Sequence, residues 1–415
     1  MRSIIKIGTV LAVALLAACK GGSGITAVAP PVVTPTLNTV ALTVDSGPTA
    51  ATGAINHAYV TVKVCAAGSQ TQCANIDHVL LDTGSVGLRL VRSVLAAGGV
   101  TLSAQTDAQG RAIEECVSFV GGQTWGPVAL ADVTLAGEIA AKLPIQVMDD
   151  TGTGAAPPTT CGANGTLVNG VAGFDANGLF GVGVLAQDCG STCVNATTPA
   201  PVYYGCTAAG VCTAENAALA VQVANPVAMF AADNNGVIVD LPGLQNANGD
   251  ATVPGELIFG IATQTDNALP ATGLTVLGTD SAGDFKTTYT NGNGVTAVLP
   301  ALIDSGTDDY AFDDPAIPVC SAITYGIFAG YYCPNPAPKS VSAINTGANN
   351  VTNTVDFAIA DPGTFVQTAS AFIDLAGGGG STTFTWGMPF FYGHKIYVGI
   401  DQRVAGTNTG PFYAY

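Results

Sequence analysis

Positive charge is what this chain has least of. Its 415 residues carry 12 Lys+Arg against 29 Asp+Glu, a formal charge of −17. That balance excludes nucleic-acid binding, which needs a basic footprint. Histidine is scarce as well: His57, His78 and His394 are the three in the chain, too few and too scattered for a catalytic metal centre or a serine-type triad. Charged residues of both signs make up only 10%, which disfavours helices with salt-bridged outer faces. Past the N-terminal segment no apolar run is long enough to span a bilayer. What remains is a chain with 52 Gly and many Ala, Thr and Val, a composition of strands and turns.

Within that composition one short pattern occurs twice in matched settings. Val79-Leu80-Leu81 runs into Asp82-Thr83-Gly84-Ser85, and Ala301-Leu302-Ile303 runs into Asp304-Ser305-Gly306-Thr307. Each is an apolar strand ending on Asp, followed by a hydroxyl residue, Gly and a second hydroxyl residue. Both turns lead back to apolar sequence, Leu88 and Leu90 after the first and Tyr310 and Phe312 after the second. Asp150-Thr151-Gly152-Thr153 has the same letters but opens onto Gly, Ala and Pro, and Asp45-Ser46-Gly47-Pro48 is a near miss. Both read as ordinary turns.

The chemistry needs these residue types. A carboxylate at the end of a buried strand sits in low dielectric, and two such groups side by side share one proton rather than both ionising. The ionised member draws a proton from a bound water while the protonated member donates to a carbonyl. Glycine lets the backbone turn sharply and approach its twin. The hydroxyls both donate and accept hydrogen bonds.

Two such loops in one chain, 304 − 82 = 222 residues apart, resemble the pepsin-like, bilobal aspartic peptidase family. The resemblance extends to further segments in order. Cys116–Glu138, around Gly121-Gly122-Gln123-Thr124-Trp125-Gly126, stands where the family carries its flap, a hairpin that folds over substrate and usually presents a Tyr. No Tyr lies there, and Phe119 or Trp125 is the candidate cover. Arg89 stands where the family usually has a Trp. Gly178–Gly183 and Trp386-Gly387 are similar to the segments that cross behind each Asp loop, with Trp-Gly-Met in place of the usual Leu-Gly-Asp. Asn225–Val239 resembles the crossover between lobes and Gly255–Ile261 the strand that opens the second lobe.

The resemblance implies an all-β, two-lobed fold with a cleft between the lobes. It implies Asp82 and Asp304 as the catalytic pair and Thr83 and Ser305 as the lock between the loops. Ser85 and Thr307 then bond the carboxylates, and Gly84 and Gly306 complete the turns. The expected activity is endopeptidase hydrolysis of a peptide or unfolded protein lying in the cleft, by a monomer with no cofactor and no metal. A second reading keeps the fold but makes the protein a catalytically weak or inactive surface lipoprotein that binds partners. A third treats the motifs as chance features of a β-rich adhesin.

The N-terminus supplies an address. Arg2 and Lys6 precede an apolar run from Val10 to Leu16, then Leu16-Ala17-Ala18-Cys19. This resembles the signal and lipobox of bacterial lipoproteins, with Cys19 lipidated; a plain secretory signal is the alternative. By resemblance to the sorting rule of those lipoproteins, Lys20 rather than Asp after the Cys permits passage to the outer membrane, the expected location. The expected organisation is a signal peptide over 1–18, a tether over 19–38, an N-terminal lobe over 39–235 with a Cys-rich insertion at 187–213, and a C-terminal lobe over 236–415. Eleven Cys minus Cys19 leaves ten, an even number that predicts disulfides in an exported protein. Cys65–Cys73, Cys206–Cys212 and Cys320–Cys333 are the short-range candidates. Cys189, Cys193, Cys206 and Cys212 leave zinc as the competing reading.

Overall fold

Strand Ala58–Ala66 shows how the sequence makes this fold. Val60, Val62 and Val64 are buried while Thr61 and Lys63 between them face water, the period-two pattern of a half-buried strand. It turns back into Cys73–Asp82, paired antiparallel with it from Tyr59↔Leu80 to Cys65↔Cys73. The second strand alternates at first, but Val79–Asp82 is buried throughout. The reason is its neighbours. Gly178–Val182 lies parallel to it and antiparallel to Val86–Val91, so the turn at 82–85 is wrapped from behind by a crossing strand.

The same local topology recurs downstream. Thr296–Ile303 pairs parallel with Phe384–Trp386, which pairs antiparallel with Tyr310–Ala311. Two matched strand–turn–strand units, each crossed by a third strand, define an all-β architecture. The computed structural model describes residues 38–51, 53–161, 166–379 and 382–415. The signal peptide, nearly all of the tether and Cys19 therefore lie outside the described residues.

The strands form a sixteen-stranded sheet, a separate seven-stranded sheet and a two-stranded one. The seven-stranded sheet is built from 285–386, around the second Asp loop. The large sheet holds the first Asp loop and does not stop at residue 235. Thr39–Val44 is zipped antiparallel along Val253–Phe259, from Thr39↔Ile258 to Val44↔Val253. Gly236–Asp240, Lys395–Gly399 and Phe412–Ala414 extend the same sheet. Strands from both halves of the chain thus share one hydrogen-bonded backing, which covers edges that each half would otherwise expose.

All ten cysteines of the described residues are paired: Cys65–Cys73, Cys116–Cys161, Cys189–Cys193, Cys206–Cys212 and Cys320–Cys333. The zinc reading of the central four is replaced by two disulfides. The Cys-rich insertion is not a free appendage. Its strand Tyr203–Cys206 pairs with Ala112–Phe119 and with Cys212–Ala214, widening the sheet that carries the Gly121 hairpin.

Candidate active site

The two Asp loops meet face to face. Thr83 Oγ1 donates to Ile303 O at 2.8 Å, and Ser305 Oγ donates to Leu81 O at 2.8 Å. The backbone reciprocates: Ser305 N–H donates to Thr83 Oγ1 at 2.9 Å and Thr83 N–H to Ser305 Oγ at 3.2 Å. Four crossed hydrogen bonds between fully buried groups hold the turns in one register. Both hydroxyls are needed, because each must give and take at once.

The carboxyls sit above this lock. Asp82 accepts from Gly84 N–H and Ser85 N–H, both at 2.9 Å, and from the Ser85 hydroxyl. Asp304 accepts from Gly306 N–H at 2.8 Å and from the Thr307 hydroxyl at 2.6 Å. Gly84 N–H also reaches across to Asp304 Oδ1 at 3.1 Å, so one amide touches both carboxyls. The glycines are required by proximity. A Cβ on Gly84 would lie 2.4 Å from Asp304 Cγ, and one on Gly306 would lie 2.9 Å from Asp82 Cγ. Burial, and then the neighbouring Asp82 charge, push the Asp304 carboxyl up to about 7, the behaviour of two acids that cannot both ionise.

The turns are closed from behind. Gly183 N–H donates to Ser85 O at 2.8 Å, Asp304 N–H to Trp386 O at 2.9 Å and Met388 N–H to Thr307 O at 2.7 Å. A Cβ on Gly387 would lie 2.0 Å from Asp309 O. These are the two Gly segments singled out in the sequence, each in contact with its own loop.

The family model that matches residues 34–415 is described as "Protein of unknown function (DUF3443)". The chain belongs to that family. No curated protein matches it. Among solved structures it is similar to the aspartic proteinase from Irpex lacteus, at 13% identity and a TM-score of 0.43, over 91% of this chain and 96% of that one.

A cleft of about 530 Å³ opens beside the dyad. One wall is the tip of the hairpin formed by Ala112–Phe119 and Gly122–Leu135, where Val120 is wholly exposed and Gly121 follows it. Neither aromatic expected to cover the cleft does so. Trp125 is buried on the inner side of the hairpin, with Nε1 donating to Ala155 O at 2.7 Å and its ring edge-on to Tyr204. Phe119 precedes the tip, but its ring packs edge-on against Phe174 and under the Arg89 guanidinium, at 5.2 and 5.7 Å. The register Cys116↔Trp125 and Phe119↔Gly122 turns the two aromatics to opposite faces of the hairpin, and each packs against its own partners rather than over the cleft.

Arg89 anchors that support. It is 1% exposed, donates to Val86 O at 2.7 Å, and pairs with Glu115 at 3.0 Å and Asp188 at 3.1 Å. Tyr203 adds a hydroxyl bond to Asp188 at 2.6 Å. One guanidinium faces two acids, and burial outweighs it at Glu115, whose carboxyl is held well above the usual range. The cluster joins the strand after Asp82, the Gly121 hairpin and the Cys-rich insertion. Arg89 was visible in the sequence as a substitution; its partners, up to 99 residues away, were not.

The other wall holds groups that motif reading missed. Asp308 and Asp309 follow Thr307 directly and line the cleft, and His57 faces them. Burial keeps His57 below its ordinary range, against the pull of Asp308 and Asp175. Among the described residues no group of three His, Cys, Asp or Glu is placed to hold a metal ion.

Proposed function

We propose that this protein is an aspartic-type endopeptidase of the bacterial cell envelope. The observation that carries the reading is the single Gly84 amide shared by two buried carboxyls, Asp82 and Asp304. In the proposed reaction Asp304 keeps the proton that its environment favours. A water lying between the pair gives a proton to Asp82 as its oxygen attacks the peptide carbonyl, and Asp304 donates to the carbonyl oxygen. The gem-diol so formed collapses as Asp82 passes its proton to the leaving nitrogen and the C–N bond breaks. A diol hydroxyl returns a proton to Asp304, so both carboxyls are restored and no side chain becomes acylated. The peptide lies extended in the cleft, held mainly through its backbone. Five disulfides favour an oxidising compartment, and Cys19 is the proposed lipid attachment point.

The test is a proteome-derived peptide library incubated from acid to neutral pH with wild type and with Asp82→Asn, read by mass spectrometry. Cuts made by wild type alone support the reading; identical cuts in both, or none from folded wild type, refute it. One observation favours a second reading, a binding protein on the same fold. The hairpin tip offers Val120, which has no hydroxyl with which to hold substrate. That reading requires peptides to bind the cleft and remain intact.

A further inference from the structure

The acidic wall of the cleft has a feature that peptide hydrolysis itself does not use. Asp309 is only 7% exposed yet lines the cleft. Its neighbour Asp308 is fixed from two sides, its carbonyl accepting from Asn56 Nδ2 at 2.7 Å and its carboxyl from the Tyr331 hydroxyl. The Asp309 carboxyl, by contrast, has no hydrogen-bond partner outside its own residue among the described residues. Gly377 passes so close that a Cβ there would lie 2.5 Å from Asp309 Oδ2. Gly378 and Gly379 continue the same wall, and a Cβ on Gly378 would meet nothing within 4 Å, so the wall is open there. No Lys or Arg lines this cleft among the described residues.

A buried carboxyl without a partner is costly, and a bound cation with hydrogen-bond donors relieves that cost. We propose that this pocket is a subsite for a lysine or arginine side chain of the bound peptide, with Asp309 as its principal acceptor and Asp308 beside it. Gly306 and Thr307, which hold Asp304, line the same cleft, so the basic residue sits within a few positions of the bond to be cut. The inference takes its ligand class, an extended peptide, from the peptidase reading and adds the residue that the site selects.

The acceptor also sets a pH signature. Burial first, and then the Asp308 charge, hold the Asp309 carboxyl well above the ordinary range. The other titratable groups near it are Tyr331, whose hydroxyl donates to Asp308, and Tyr332, whose hydroxyl donates to Phe312 O, with His57 and Asp175 lining the same cleft. Protonation of Asp309 removes the charge, so preference for a cation grows as pH rises.

The experiment measures binding of fluorescent peptides to the full-length protein by anisotropy, with cleavage followed in parallel. The peptides form pairs that differ only by lysine against norleucine, moved along the sequence one position at a time. At one position lysine should bind about tenfold more tightly at neutral pH. That ratio should shrink on acidification and fall towards one in Asp309→Asn. Equal binding of every pair to wild type overturns the subsite, whatever any variant does. So does a lysine preference that survives unchanged in the Asp308→Asn/Asp309→Asn double variant. Cleavage without lysine preference sinks the subsite and leaves the peptidase. Lysine-selective binding without cleavage sinks the peptidase and leaves the subsite.

Discussion

The two Asp loops are near copies in their hydrogen bonds, yet what stands behind them is chemically opposite. Behind Asp82 is an ionic cluster, with Arg89 between Glu115 and Asp188 and nearly out of reach of water. Behind Asp304 is a block of rings. Trp386 packs on Phe384 at 4.9 Å and Phe357 at 5.3 Å, and Phe312 stacks on Phe384 at 5.0 Å. The same turn geometry therefore tolerates two kinds of support. They should fail differently: rings lose stability in proportion to the area removed, whereas a buried ionic cluster fails abruptly when one member is lost.

The largest effect tests what the two loops share. On the proposed reaction, Asp82→Asn and Asp304→Asn should each lower cleavage by about 10³-fold or more, since each would remove one of two proton-transfer groups. The check is the rate on a single peptide drawn from the library. A residual rate that differs widely between the two variants would show that the loops are not equivalent in function.

The next effect separates the two supports. Arg89→Leu should destabilise the fold by roughly 3–5 kcal/mol, because it leaves buried acids without their cation. The triple change Arg89→Leu/Glu115→Leu/Asp188→Leu should recover much of that loss in urea unfolding, since the uncompensated charges leave together. On the other side Trp386→Phe should cost only about 1–2 kcal/mol. Its indole N–H donates to Thr287 Oγ1 and Asn345 Oδ1, both at 3.1 Å, but those two already bond each other at 2.7 Å. No polar group is orphaned. If Arg89→Leu proved as mild as Trp386→Phe, the contrast between the supports would collapse.

What the sequence discloses of this site follows the range of the interactions. Asp82 to Ser85 and Asp304 to Thr307 are legible because each turn needs its carboxylate, hydroxyls and glycine within four residues. Gly178–Gly183 and Trp386-Gly387 are legible because close backbone crossing demands glycine wherever it happens. The hairpin is legible as alternation, but not its facing. Only the register Cys116↔Trp125 and Phe119↔Gly122 decides that Val120 takes the tip and that Trp125 and Phe119 turn to opposite faces. Cys65–Cys73 is proposed by its spacing, whereas Cys116–Cys161, 45 residues apart, depends on where the hairpin docks. The Cys-rich insertion shows its role only once Tyr203 is paired with Glu115, since nothing local in 187–213 marks it as support for a distant strand.

The smallest expected effect is on stability against pH, and it too divides the molecule by what surrounds a charge. Asp304 has an ordinary value of 3.8 and is raised to about 7, by burial first and Asp82 second. A group raised in the folded state favours folding fully below the lower value, and that contribution is lost as pH climbs through the higher one. Wild type should therefore lose thermal stability between about pH 4 and pH 7 through this group. Asp304→Asn cannot ionise and should be spared that part of the loss. The gap between the two melting temperatures should widen in the variant's favour as pH rises, by roughly 5 °C across the window. Catalysis should track the same proton, with wild-type cleavage declining above pH about 7 as Asp304 loses the hydrogen it donates. A gap that stays constant with pH would mean that Asp304 is not the group that keeps the shared proton, and the assigned roles of the two carboxyls would have to be exchanged.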